Sequence, residues 1–487
     1  MGRKDSGRRG RKTRSFQRRG PFFLDSLEEF AEVGVVKRTV AEVIVNFLSF
    51  SGETSAHVGE LAGFNDREWR QAVSWLHDAG LALYLLQKLK QGNVTDIVPT
   101  TILSRLEENL TANRRRVAYM AHQFEFLNQR LNAASVRYAA VKGFSLVPQF
   151  CPDASLRHQS DFDYLVDHRS LPLAQTVLEE AGYFLSKHKA NEFVFLMPSR
   201  AIPPPDDAQY EAHAPHAVEL RVAFWDSDFH GVFLTGPRFS VDNTRTQRWQ
   251  DSVFPALPEE DAFLLQVIHA FNHVLAGWVR MSWLYEIGYF LNQRSTDKQL
   301  WQLVERRIGD NALLREIVIV VTELSAHFFK APLPTTSIIW AQKLDPAVRI
   351  WIKNYARRWV FAKNRVDQLG LFSAAKVVLF LHQQYLPDAS VRRHQMRLRL
   401  LPWEQLFRRA GSITSKSLAN SGERRRQLKH ALIRFLFHAT AGLRYLWEVP
   451  RWRRLNKASA RLSCSTKPEL PVAGLVGAQS PESTLQS

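Results

Sequence analysis

Apolar residues recur at helical spacing through the first quarter of the chain. In DREWRQAVSWLHDAGLALYLLQKL (66–89), Trp69, Val73 and Leu76 begin an apolar face that resumes after Gly80, so the spacing predicts helix broken at that glycine. Residues 24–130 read as mostly helix, and 101–132 predict one long amphipathic helix with Thr100 or Thr101 as its cap. ETSAHVGELAG followed by a second helix resembles a helix-turn-helix weakly, with AGLALYLL as a candidate wing; ordinary helical packing is the preferred reading.

From residue 136 the period shortens. VRYAAV (136–141) predicts a strand ended by Lys142-Gly143, and FSLVPQF a short helix or turn. SDFDYLVD (160–167) alternates apolar and acidic groups as a half-buried strand does. SLPLAQTVLEEAGY (170–183) predicts a helix with a glycine stop, FVFLM (193–197) a strand and AVELRVAFW (217–225) another. The prolines between 198 and 217 predict a loop that holds Asp206, Asp207, His213 and His216. After Pro258 the pattern is helical again. The whole predicts an α+β protein, a small mixed-sheet core embedded between helical regions. Its expected parts are a disordered basic tail (1–20), an N-terminal helical region (21–132), the α/β core (133–258), a second helical region (259–412), a basic amphipathic segment (413–457) and a disordered tail (458–487).

Charge refines this division. The net charge is +18, but 1–20 carries +8 and 391–467 carries +16, while 468–487 carries −2 and the middle, 21–390, is left at −4. Enzymes acting on nucleic acid more often carry their basic charge along the substrate groove, so a nucleic-acid substrate is disfavoured. Cys151 and Cys464 lie far apart, which predicts no disulfide framework and suits a reducing compartment. The basic N-terminus is followed by no apolar segment of a secretory signal, and the most apolar stretch, ALIRFLFHATAGLRYLWEV (431–449), is broken by Arg434, His438 and Arg444. A cytoplasmic location is expected. The basic C-terminal segment, with its interleaved aromatics, would suit contact with an anionic membrane surface, and could equally bind RNA or pack as a helix with a solvated basic face; a membrane is the preferred partner over nucleic acid.

The chemistry concentrates in SDFDYLV. On a strand Asp161 and Asp163 project to one face, Phe162 and Tyr164 to the other. Two adjacent carboxylates repel unless a cation lies between them, and hard oxygen ligands suit magnesium or manganese. An isolated Asp-x-Asp is more often a solvated strand face. Glu219, on a second alternating strand, supplies a third carboxylate that could complete a two-metal site. Lys142 and Gly143 offer a point charge and a close backbone approach for phosphate, and Arg157 is a candidate phosphate ligand or an ion-pair partner of the acidic strand. His269 and His273 stand four residues apart, but no third ligand accompanies them, so they read as buried or substrate-facing rather than as a metal pair.

VRYAAVKGFSLVPQFCPDASLRHQSDFDYLVD, followed by a helix ending in EEAGY, resembles the bacterial uncharacterised nucleotidyltransferase family, a branch of the DNA polymerase β-like nucleotidyltransferase superfamily. Lys142, Gly143, Arg157, Asp161, Asp163, Gly182 and Tyr183 follow that family's order and spacing. AVELRVAFW is similar to its later carboxylate-bearing strand, and LLQVIHAFNHVLAGWVRMSWLYEIGYFL to the helices that follow, with His269, His273 and Trp283 in place. The resemblance covers roughly 66–300. It implies Asp161, Asp163 and Glu219 as metal-binding and catalytic residues, and Lys142, Gly143, Ser145 and Arg157 as nucleotide-binding ones. It implies transfer of a nucleoside monophosphate, AMP being expected, from a nucleoside triphosphate to an unidentified acceptor. Three positions depart from the pattern: Gly143-Phe144-Ser145 where the wider superfamily has Gly-Ser, Leu220-Arg221 where the family has Leu-His, and Glu286 where it has Asp. Two other readings remain open: a non-catalytic scaffold at a membrane in surface-polymer or peptide production, and a toxin-like transferase acting on tRNA or protein.

Overall fold

The computed structural model of the protein describes residues 38–52, 54–189, 191–198, 210–225, 227–361, 376–400 and 421–465. The expected tail at 1–20, Asp206 and Asp207, and residues 466–487 lie outside the described residues. The elements below all belong to the unit Val40–Ser487.

Five helices come first: α1 (Val40–Phe47), α2 (Thr54–Ala62), α3 (Asp66–Ala79), α4 (Ala82–Gln91) and α5 (Thr100–Ala133). Asn65 opens α3 by accepting from the Arg67 and Glu68 amides while Glu68 reaches back to the Asn65 amide. Gly80 closes it at φ 71°, where a left-handed conformation ends the helix. The break expected at this glycine is therefore a cap. The ALYLL of AGLALYLL opens α4 and is not a wing strand: Leu83, Leu85, Leu86 and Leu89 are all buried, which calls for a helix packed on several sides. Neither threonine caps α5. Pro99 stands at the cap position, and its carbonyl accepts from the Ile102 and Leu103 amides.

The sheet has seven strands: β1 (Tyr138–Ala140), β2 (Asp161–Val166), β3 (Phe184–Lys189), β4 (Glu192–Leu196), β5 (Ala217–Arg221), β6 (Arg245–Trp249) and β7 (Ser252–Ala256), in the order β3-β4-β5-β2-β1-β7-β6. It is mixed, because β2 runs parallel to β5 and β1 parallel to β7 while the other pairs are antiparallel. Helix α6 (Leu171–Glu180) follows β2, and Gly182 stops the segment at φ 90°. The short α7 (Ser227–His230) follows β5. Three strands escaped the sequence pattern. β3 is exposed at every position and so lacks alternation, and the β6–β7 hairpin mixes polar residues with Pro255.

Ten helices complete the described chain: α8 (Glu259–Ala276), α9 (Met281–Arg294), α10 (Lys298–Ile308), α11 (Ala312–Phe329), α12 (Thr335–Ala341), α13 (Pro346–Asn354), α14 (Ala356–Val360), α15 (Val378–His382), α16 (Ala389–Leu400) and α17 (Ser421–Ser465). The disorder expected from residue 458 is corrected over its first part. The helix continues past Lys457 to Ser465, through Ala458, Ala460 and Leu462, with no glycine or proline to stop it before Pro468.

The sheet is covered on both sides. On one, Phe124 of α5 meets the rings of Phe144, Phe162, Tyr164 and Phe254 with centroids 4.9–6.1 Å apart. On the other, Leu265 of α8 joins Ala139, Val141, Leu165 and Leu257 in a smaller apolar cluster. Alternation along β2 thus buries Phe162, Tyr164 and Val166 under α5. Leu165 goes under α8, and Asp161 and Asp163 stand further along that second face.

Candidate active site

The two aspartates sit on a central strand, and register brings the glutamate to them. Asp163 pairs directly with Glu219 across the parallel β2–β5 ladder, and Asp161 pairs with Ala217. One carboxylate oxygen from each of Asp161, Asp163 and Glu219 lies within 4.8 Å of the others. Among the described residues this is the one group of three or more potential metal ligands. His269 and His273 are not part of it.

Two cations already neutralise part of this charge. Lys142 Nζ lies 2.7 Å from Asp163 Oδ1. Arg221 Nη2 lies 2.5 Å from Glu219 Oε2 and 3.0 Å from Glu192 Oε1, and its Nε lies 3.7 Å from Asp163 Oδ1. Arg221 thus ties together three carboxylates from three adjacent strands. Glu192 was not singled out in the sequence. It lies at the start of β4 opposite Arg221, and only the β4–β5 register reveals it.

The three acids respond differently to the same crowd. Burial opposes ionisation of all three. Around Asp163 the Lys142 and Arg221 cations outweigh burial and hold its carboxyl below the usual range. Burial and the Asp163 charge push Asp161 up, and they push Glu219 up to about 7. A site that keeps two acids reluctant to ionise is short of positive charge, and hard carboxylate oxygens at this spacing suit a divalent ion. The residues present thus fit magnesium or manganese.

The turn before β2 is built by packing. Gly143 has φ 61°, and a Cβ there would collide with the Gln159 amide. Gln159 is buried and donates to the Asp161 carbonyl at 3.1 Å. Conformation and Gln159 thus account for the glycine without any phosphate. Ser145 Oγ donates to the Lys142 carbonyl at 3.2 Å, closing the same turn. The loop leading into β2 is held from α5. Asn113 donates to the carbonyls of Ser155 and Arg157, and buried Arg116 to those of Gln159, Glu211 and Ala214.

Arg157 does not pair with the acidic strand. Its Nε lies 3.2 Å from Glu286 Oε1, and the Tyr84 hydroxyl donates to that same oxygen at 3.0 Å. Glu286 of α9 thus connects the site to the N-terminal helices. Cys151 is free; its buried thiol donates to the Asp153 carbonyl at 3.0 Å, and its Sγ lies 3.1 Å from the Tyr84 oxygen. Burial pushes its thiol up to about 12, which leaves it unreactive.

His269 and His273 lie on the half-buried continuation of the α8 face that meets the sheet. Gln266, one turn earlier, donates to the Val141 carbonyl at 3.3 Å, next to Lys142. The two histidines cluster with Trp278 and Trp283, ring centroids 4.4–5.4 Å apart. Burial and the nearby Lys142 cation keep both imidazoles neutral, His273 down to about 3. The loop histidines separate. His213 meets Tyr119 edge-on, whereas His216 is buried behind β2 with Nε2 2.8 Å from the Tyr183 hydroxyl. His216 is thus a core residue, facing away from the carboxylates.

A family model described as "Uncharacterised nucleotidyltransferase" matches residues 65–330, more than half of the chain. The chain belongs to this uncharacterised nucleotidyltransferase family. The matched stretch begins at Asn65, the cap of α3, and ends at Lys330, the cap of α11. The family segment therefore contains the whole sheet and the helices that brace it, and it extends beyond the resemblance seen in the sequence. Membership points to nucleotidyl transfer in general. No curated protein matches the chain.

Proposed function

We propose that this nucleotidyltransferase-family protein is a metal-dependent enzyme that moves a nucleoside monophosphate, AMP being the expected one, from a nucleoside triphosphate to a hydroxyl or phosphate acceptor. The observation that carries this reading is the convergence of Asp161, Asp163 and Glu219, with Asp163 and Glu219 in register on adjacent strands. These three would hold magnesium or manganese. When bound, the metal would neutralise the triphosphate and favour attack by the acceptor oxygen. In the transfer that oxygen bonds to the α-phosphorus, the bond from that phosphorus to the bridging oxygen breaks, and pyrophosphate leaves. Lys142 stands beside Asp163 and can turn its ammonium to phosphate oxygens. Gly143 and Ser145 shape the turn that carries it. Arg157, paired with Glu286, adds positive potential at Asp161.

The test is calorimetric titration of the purified protein with magnesium or manganese, then incubation with labelled triphosphates and cell extract to identify the labelled product. The expected result is metal-dependent labelling that falls on the order of 1000-fold or more in the Asp161→Ala, Asp163→Ala double variant. Absence of metal-dependent nucleotide binding by the parent protein would sink the enzymatic reading. It would favour a second one, supported by Lys142 and Arg221 on the carboxylates: a non-catalytic scaffold whose acidic cluster is satisfied internally.

A further inference from the structure

Helix α17 lies outside the family segment, and it buries several polar side chains while turning a stripe of large apolar ones to solvent. Its buried face carries Arg434, His438, Ala441, Tyr445, Glu448 and Trp452. Its outward face carries Leu428, Leu432, Phe435, Leu443, Leu446 and Trp447, of which Leu428 is 71%, Leu443 66% and Trp447 84% exposed. At 3.6 residues per turn these outward residues form one stripe about a third of the circumference wide and ~30 Å long, opposite the buried set.

The helix is held in this orientation. Glu448 Oε1 lies 2.7 Å from Arg358 Nη1, and His438 Nδ1 3.3 Å from Lys376 Nζ. Tyr445 and Trp452 stack on Phe380 with ring centroids at 4.6 and 4.8 Å. Rolling the stripe inward would break both polar contacts and both stacks.

Charge selects the partner. Arg425, Lys429, Arg444, Arg451, Arg453, Arg454 and Lys457 are exposed along and beside the stripe. Among residues 425–459 the sole acid is Glu448, which is buried. A second copy docked on this face would bring like charges together. No described helix is long and apolar enough to cross a membrane. An apolar stripe bearing Trp447 and Phe435, flanked by cations, has the composition of a helix that lies in the headgroup boundary of an anionic bilayer.

We propose that the outward face of α17 docks the protein on an anionic phospholipid surface, with Leu443, Leu446 and Trp447 inserted and the flanking arginines on the headgroups. The proposal is independent of the reaction assigned to the sheet. It is tested by cosedimenting the full chain with vesicles of phosphatidylcholine alone or mixed with phosphatidylserine. Binding to the mixed vesicles is expected to be at least tenfold tighter and to weaken with salt. Arg444→Glu with Arg451→Glu should cost about fivefold per charge removed, and more for reversal. Leu443→Gln, Leu446→Gln and Trp447→Gln together should abolish binding with the thermal transition unchanged, since all three side chains are exposed. Equal binding to both vesicle types, no binding to either, or undiminished binding by the glutamine variant overturns the proposal. So does a concentration-dependent dimer that the same glutamines dissolve, because a second copy then covers the face.

Discussion

Asp161 and Asp163 share a face and a strand, yet their surroundings pull them apart. Asp163 has Lys142 and Arg221 beside it and ionises readily, whereas Asp161 and Glu219 carry the cost of burial beside a fixed negative charge. Above the ordinary carboxylate range the unfolded chain ionises Asp161 freely and the folded one does so at a cost, so the folded state loses stability as pH rises. With metal chelated, Asp161→Asn is therefore expected to melt higher than the parent at pH 8. The advantage should fade as pH falls toward 4, and added magnesium should stabilise the parent alone. Equal melting temperatures in chelator would contradict the crowding. His216 gives the opposite trend. Burial and Arg116 hold its imidazole down to about 4, so the folded state excludes a proton that the unfolded chain takes up near 6.5. Stability is lost as pH falls from about 6.5 to 4, with a slope approaching ~1.4 kcal/mol per pH unit. Denaturant titrations of the parent and His216→Gln across that window should show the parent declining faster. The paired aspartates and Glu219 were legible because strand alternation is local. The burial of His216 was not, because a loop histidine looks alike in sequence whether it meets water or Phe162.

At the scale of elements, the site depends on what holds the loop between the Gly143 turn and β2. Helix α5 does so with buried side chains, and Arg116 serves three backbone carbonyls that have no other guanidinium partner among the hydrogen bonds described. Arg116→Met keeps the length of the side chain and removes every donor, so it is expected to cost about 3 kcal/mol and to loosen the loop. Urea unfolding and amide exchange at Gln159 and Asp161 measure both; unchanged protection would deny Arg116 this role. The helix was readable from its apolar period, but the polar residues on its buried side were not, because Asn113 and Arg116 imitate a solvated face. Strands told a similar story. β2 and β5 alternate and β1 and β4 are short apolar runs, and all four were found, whereas β3 and the β6–β7 hairpin are held by neighbouring strands rather than marked by pattern. Gly143 stood out in the sequence, but its neighbour across the turn, Gln159, did not, being distant in pattern though close in space.

Over the whole molecule, the family segment from α3 to α11 accounts for the sheet and its supports, and the net charge belongs mostly to what lies outside it. The α+β class and the central position of the core were legible from the alternation of periods along the chain. The orientation of α17 was not, because interleaved arginines and aromatics do not say which face a helix turns inward. Nor was the link between the site and the N-terminal helices, which runs through Glu286 to both Arg157 and Tyr84. That link has a consequence in time. Arg157 and Glu286 are 129 residues apart, and a ribosome needs on the order of ten seconds to cover that distance. The aspartates, the third carboxylate and the partner of Arg157 emerge one after another, so each new copy of the protein carries an incomplete site for most of that interval and gains its full set of charges only when α9 has been made.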